Sequence, residues 1–147
     1  MRGRRLGMAM LLTVLALPAT IEAGLLSKTY EFKEGVTLEV GAETDTGLRL
    51  DTVQLTLPST TGGRFLRTGG LVRAEISISN TIDESRKVGI AIALFDAQGR
   101  LVGVASGGTK LLPIKPQRQR TYDLVFDYVN EDAYKATTFQ ISVEAKP

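Results

Sequence analysis

The chain is 147 residues long, with 18 basic and 16 acidic side chains and no Cys, His or Trp. Without His or Cys, a Ser-His-Asp triad, a thiol nucleophile and the usual zinc and copper ligands are all excluded. Without Cys, no disulfide can form and no N-terminal thiol can be lipid-modified. Three of the cations (Arg2, Arg4, Arg5) and one of the acids (Glu22) lie in residues 1–23. The remainder therefore has equal numbers of each sign, which gives no argument for nucleic-acid binding.

Met1–Arg5 is basic, Leu6–Leu17 is almost wholly apolar, Pro18 breaks a helix, and Ala23 offers a small residue before Gly24. This order is that of a secretory signal peptide, and the apolar run is short of the roughly 20 residues a membrane span needs. The expectation is a leader over 1–23 and one domain over 24–147, soluble and free of the membrane once the leader is removed, in the periplasm or secreted.

Residues 24–33 read as a lead-in, with Tyr30 and Phe32 plugging one end of the fold. Val36, Leu38 and Val40 alternate in a short strand between Gly35 and Gly41. From Leu48 to Leu57 the parity slips: Leu48 and Leu50 are in phase, Val53, Leu55 and Leu57 in the opposite one. A bulge near Asp51-Thr52 would return both sets to one face. Pro58–Gly70 is a Gly-, Ser- and Thr-rich connection with the pairs Gly62-Gly63 and Gly69-Gly70 around Arg64-Phe65-Leu66-Arg67.

Leu71–Val104 is the centre of the pattern. Val72, Ala74, Ile76 and Ile78 alternate with Arg73, Glu75, Ser77 and Ser79, as in a half-buried strand. Val88, Ile90, Ile92 and Leu94 repeat the period, but the small Gly89, Ala91 and Ala93 between them give the composition of a strand covered on both faces. Asp96-Ala-Gln-Gly99 turns the chain into Arg100–Val104, so the expected core is an antiparallel meander. Gly107-Gly108 reads as a flexible turn. Pro113 and Pro116 assign Leu111–Pro116 to an edge or a crossing between sheets. Tyr122, Leu124, Phe126 and Tyr128 form one aromatic face, and Phe139, Ile141 and Val143 an inward one. About seven short strands with no useful amphipathic helix predict an all-β, antiparallel, two-sheet immunoglobulin-like sandwich.

Asn80, Val88, the string Ile92-Ala-Leu-Phe-Asp96 and Pro116 ahead of Tyr122, Leu124 and Phe126 resemble the bacterial extracytoplasmic immunoglobulin-like domains that contain an F-x-L-Y-D string. Ile92 stands in place of the Phe and Phe95 in place of the Tyr. The resemblance implies an immunoglobulin-like fold and supplies no catalytic residue.

Of the remaining chemistry, Asp83-Glu84 and Glu131-Asp132 are adjacent turn carboxylates rather than an opposed glycosidase pair. Asp127, Asn130, Glu131 and Asp132 lack calcium-loop spacing. No catalytic residue, metal or cofactor is expected. The chain reads as a non-catalytic exported protein-binding or structural module with an extracytoplasmic protein partner, its site the loop tip Arg64, Phe65, Leu66 and Arg67. The other reading is a periplasmic small apolar-ligand carrier, with Tyr122, Phe126 and Tyr128 lining a pocket.

Overall fold

The computed structural model describes residues 24–57, 72–129 and 132–146, which form nine strands and one short 3-10 helix. The strands are β1 (Leu25–Glu31), β2 (Thr37–Glu43), β3 (Leu48–Thr56), β4 (Arg73–Asn80), β5 (Lys87–Asp96), β6 (Leu101–Gly108), β7 (Gln119–Val125), β8 (Tyr128–Val129) and β9 (Ala136–Lys146). They build two antiparallel sheets, ordered β1-β9-β5-β6-β8 and β2-β3-β4-β7. This is the expected sandwich, with two strands more than the seven the sequence suggested. Residues 24–31 are not a lead-in: β1 pairs continuously with β9, from Leu25 opposite Glu144 to Glu31 opposite Thr138. Its period is masked because Lys28 stands between Leu26 and Tyr30 on the face that opposes Val143, Ile141 and Phe139.

The meander is also corrected. β4 lies between β3 and β7 in one sheet, whereas β5 lies between β9 and β6 in the other, so residues 81–86 cross the sandwich. Alternation identifies strands and their inward faces, but contains nothing about which strands pair. The pairings β3-β4-β7 and β6-β5-β9 follow the A-B-E and C′-C-F orders of an immunoglobulin sandwich, with β1 taking the edge beyond the F strand.

Between the sheets, Leu48, Leu50, Val53, Leu55, Ile76, Ile78, Ile92, Leu94, Ile141 and Val143 are all buried. The two phases of β3 reach this core because its register with β4 shifts between Leu50 and Thr52, which makes Asp51 the inserted residue of the expected bulge. The Asp51 carboxylate accepts hydrogen bonds from Arg49 Nε at 2.7 Å, Ser79 Oγ at 2.5 Å and Gln119 Nε2 at 3.1 Å. Ser77 faces outward as expected, yet is nearly covered between its register neighbours Thr52 and Thr121.

Two buried polar side chains fix the turns. Asp96 Oδ1 accepts from the Gln98 and Arg100 backbone N–H groups, both at 2.9 Å, and its Oδ2 accepts from Arg100 Nε at 2.7 Å. The Arg100 backbone N–H, opposed by burial and aided by the Arg100 guanidinium and the Gln98 N–H, holds the Asp96 carboxyl below the usual carboxylate range. A lowered folded-state pKa contributes stability above the unfolded pKa and loses it as pH falls through the folded one. Asp96→Asn should therefore flatten the acid limb of a melting-temperature profile and lower stability near neutrality; a limb identical to the parent's would remove Asp96 from this role. Asn80 is the second device: its Nδ2 donates to Glu84 O at 2.7 Å and Ile114 O at 3.0 Å, and its Oδ1 accepts from Ile82 N at 3.2 Å.

Candidate interaction surfaces

Arg64, Phe65, Leu66 and Arg67, the expected loop-tip site, lie outside the described residues. So do Asn130 and Glu131. The neighbouring Asp132 holds Lys135 Nζ at 2.7 Å and stands 3.8 Å from Arg100 Nη2, while Glu84 pairs with Arg86 at 2.8 Å. Among the described residues no group of three or more acidic side chains is placed to hold a metal.

The aromatic face is split. Tyr122, Leu124 and Phe126 are buried in the core, where Tyr122 Oη lies 3.1 Å from Thr109 Oγ1. Beyond Phe126 the chain changes sheets to form β8, and Tyr128 becomes 52% exposed. Period-two counting extended across Asp127 therefore assigned Tyr128 to the wrong side.

The outer face of the five-stranded sheet is the first unusual surface. Between the buried residues of β5, the outward Ala91 is exposed and Ala93 and Phe95 are half-buried. In register beside them stand Ser106, Val104 and Leu101 of β6, and Ser142, Gln140 and Thr138 of β9. Ser27 and Thr29 continue the row on β1, Ser27 Oγ lying 2.9 Å from Ser142 Oγ. Tyr128 adjoins Val104 on the other side. The charged residues of this face stand at its ends: Lys87 and Glu144 at one, Glu31 at the other. The opposite sheet instead presents Arg49, Arg73, Glu75 and Asp123, with Arg73 Nη1 and Asp123 Oδ2 2.9 Å apart. The covering that the composition of β5 predicts for both its faces is thus present on one only: among the described residues nothing lies over Ala91.

The second surface is a strap at residues 109–118, anchored by Ile114. This side chain is buried, and its backbone forms a two-bond bridge with Arg86, Ile114 N to Arg86 O at 2.8 Å and Arg86 N to Ile114 O at 3.1 Å. Asn80 binds the same Ile114 carbonyl, and Arg120 Nη1 donates to Leu112 O at 2.7 Å. The anchored strap turns Leu111 and Leu112 into solvent, 88% and 72% exposed. The two prolines locate a crossing segment, as expected, but the exposure of the leucines follows from the anchor and is not legible in the local pattern. No protein-family model matches the chain, and no match is found among curated proteins.

Proposed function

We propose that the protein is a non-catalytic module of the periplasm or cell exterior that binds another exported protein through the outer face of its five-stranded sheet. The observation behind this reading is β5: it has the composition of a strand covered on both faces, yet among the described residues its outer face leaves Ala91 exposed and Ala93 and Phe95 only half-buried. Protein interfaces are depleted of charge at their centre, as is the area from Gln140 across Ala93 and Val104 to Tyr128, and they favour exposed aromatic side chains, of which Tyr128 supplies one at its edge. Small side chains on a sheet face suit close approach by a second sheet, so a β-rich partner fits best. The leader-like residues 1–23, the resemblance to extracytoplasmic domains and the lack of His and Cys support the same reading, with no nucleic acid as partner. Of the aromatic side chains invoked for a ligand carrier, Tyr122 and Phe126 are occupied in core packing and Tyr128 lies on the outer face, so no separate observation favours that alternative.

The discriminating variant is Ala93→Glu with Tyr128→Ser, which adds a charge and removes the aromatic edge. Both positions lie on the outer face, so the melting temperature should stay close to the parent's, within the roughly 0.5 kcal/mol of ordinary surface substitutions. Cross-linking in the extracytoplasmic fraction followed by mass spectrometry should show the parent's partner lost from the variant. Identical capture by parent and variant would refute the assignment of this face, and concentration-dependent dimerisation in sedimentation velocity would identify the partner as a second copy.

A further inference from the structure

We infer that the strap docks the protein on an anionic lipid bilayer, with Leu111 and Leu112 entering the acyl boundary and Lys110, Lys115, Arg118 and Arg120 meeting lipid phosphates. This departs from the sequence expectation of a chain free of membranes after leader removal, and does not depend on the sheet face proposed above.

Isolated surface leucines are ordinary, but two adjacent ones held outward by an anchored backbone are not. The bridge to Arg86 and the bonds from Asn80 and Arg120 hold the strap from both sides. The leucines are therefore presented in a fixed arrangement, without the ordering cost a loose loop would incur.

Charge specifies the surface they meet. Residues 97–122 contain Arg100, Lys110, Lys115, Arg118 and Arg120 and no acidic residue at all. Lys110, Lys115, Arg118 and Arg120 form no ion pair with a carboxylate among the described residues. Beside Leu112 lies a groove of about 400 Å³ whose walls include Ser85, Lys115, Arg118, Gln119 and Arg120. Residues carrying hydroxyl, amide, ammonium and guanidinium groups thus share this open groove with Leu112, Pro113 and Ile114 beside the apolar tip, which sets polar and apolar chemistry side by side as at the headgroup-to-acyl boundary of a bilayer.

The same ingredients fit a protein partner less well. Leucine is under-represented among interface hot spots and lysine is depleted from interfaces, whereas leucine is among the residues most favourable to bilayer insertion. A cation near an anionic leaflet raises partitioning about fivefold, and the effect fades as salt shortens the screening length.

The test is vesicle co-sedimentation of the protein purified after export, with its N-terminus read by intact mass. Parent and variants share any retained leader, so the readout is the difference between them. Parent should bind vesicles of phosphatidylglycerol and phosphatidylethanolamine in low salt, bind phosphatidylcholine vesicles far less, and be released from the anionic vesicles by high salt. Leu111→Ser with Leu112→Ser should reduce anionic-vesicle partitioning about tenfold or more, given two leucines withdrawn from the acyl boundary. Lys115→Gln with Arg118→Gln should reduce it about 25-fold at low salt, two cations at fivefold each. All four positions are on the strap surface, and circular dichroism melts should match the parent. Equal binding by parent and leucine variant, or a parent that stays in the supernatant with both vesicle types, overturns the inference. So does strap-dependent capture of an acidic exported protein without vesicle binding. Ala93→Glu with Tyr128→Ser should bind vesicles like the parent, so that failure of the sheet-face reading and failure of this one are separately visible.

Discussion

Ile76→Asp should abolish cooperative folding, whereas Thr56→Asp on the same sheet should melt close to the parent. Ile76 lies at the middle of β4, fully buried, in register with Val53 of β3 on one side and Tyr122 of β7 on the other. An aspartate there would remove a branched apolar side chain from the centre of the sandwich and place a carboxylate among groups that offer it no donor. Among the described residues no buried side-chain polar atom lacks a partner, so the packing has no spare donor to turn toward it. The cavity left by a shortened side chain and the burial of an unpaired ionisable group each cost several kcal/mol. Together they approach the whole stability of a domain this size, roughly 5 to 15 kcal/mol. Thr56 is exposed and in register with Arg73, so the same new charge remains hydrated beside a cation. Thermal melts by circular dichroism compare the two directly, and equal melting temperatures would show that the assignment of inward and outward faces is wrong.

Period-two alternation was sufficient to find most strands and their inward sides, because burial between two sheets imposes it residue by residue. It was even sufficient to place the bulge at Asp51, where a single inserted residue is the one local event that brings Leu50 and Val53 to the same side. It failed where the cause is not local. Lys28 interrupts the inward side of β1 because that strand lies at the edge of the five-stranded sheet, where a long side chain can reach water, and Lys28 is exposed. Tyr128 lies outside because the chain changes sheets at Asp127, and parity has no meaning across such a change. The apolar run of β5 has the composition of a strand covered on both faces, but only its inner face is covered among the described residues, because alternation with small residues does not encode what packs against the outer side. The strap was identified by its prolines as a crossing, while the outward direction of Leu111 and Leu112 depends on an anchor, Ile114, that is held by Asn80 34 residues earlier.

Gly108→Ala should be among the most damaging one-carbon changes in the molecule, although the Gly107-Gly108 pair reads in sequence as a flexible turn. In the structure both glycines belong to β6 and are sites of close approach. A Cβ on Gly107 would overlap the Leu124 side chain, which could move, but a Cβ on Gly108 would overlap the Val88 carbonyl oxygen and lie 2.9 Å from the Val88 carbonyl carbon. That carbonyl accepts from Thr109 N at 2.8 Å, and the Thr109 hydroxyl in turn accepts from Val88 N at 3.1 Å and lies 3.1 Å from Tyr122 Oη. Backbone cannot yield here without separating β6 from β5 and moving Thr109 away from the buried Tyr122 hydroxyl. Gly108 also has φ of +136°, which an L side chain rarely adopts. A strained backbone residue costs about 1 to 2 kcal/mol and overpacking typically another 1 to 3, so the loss should be about 3 kcal/mol, or roughly 10 °C in melting temperature. Gly41→Ala separates the two contributions: its φ is +63°, but nothing lies within 4 Å of an added Cβ, so only the smaller, conformational part should appear. If both variants melt within a degree or two of each other, the close approach of β6 to Val88 does not constrain the fold, and the glycine pair would again be read as a flexible turn.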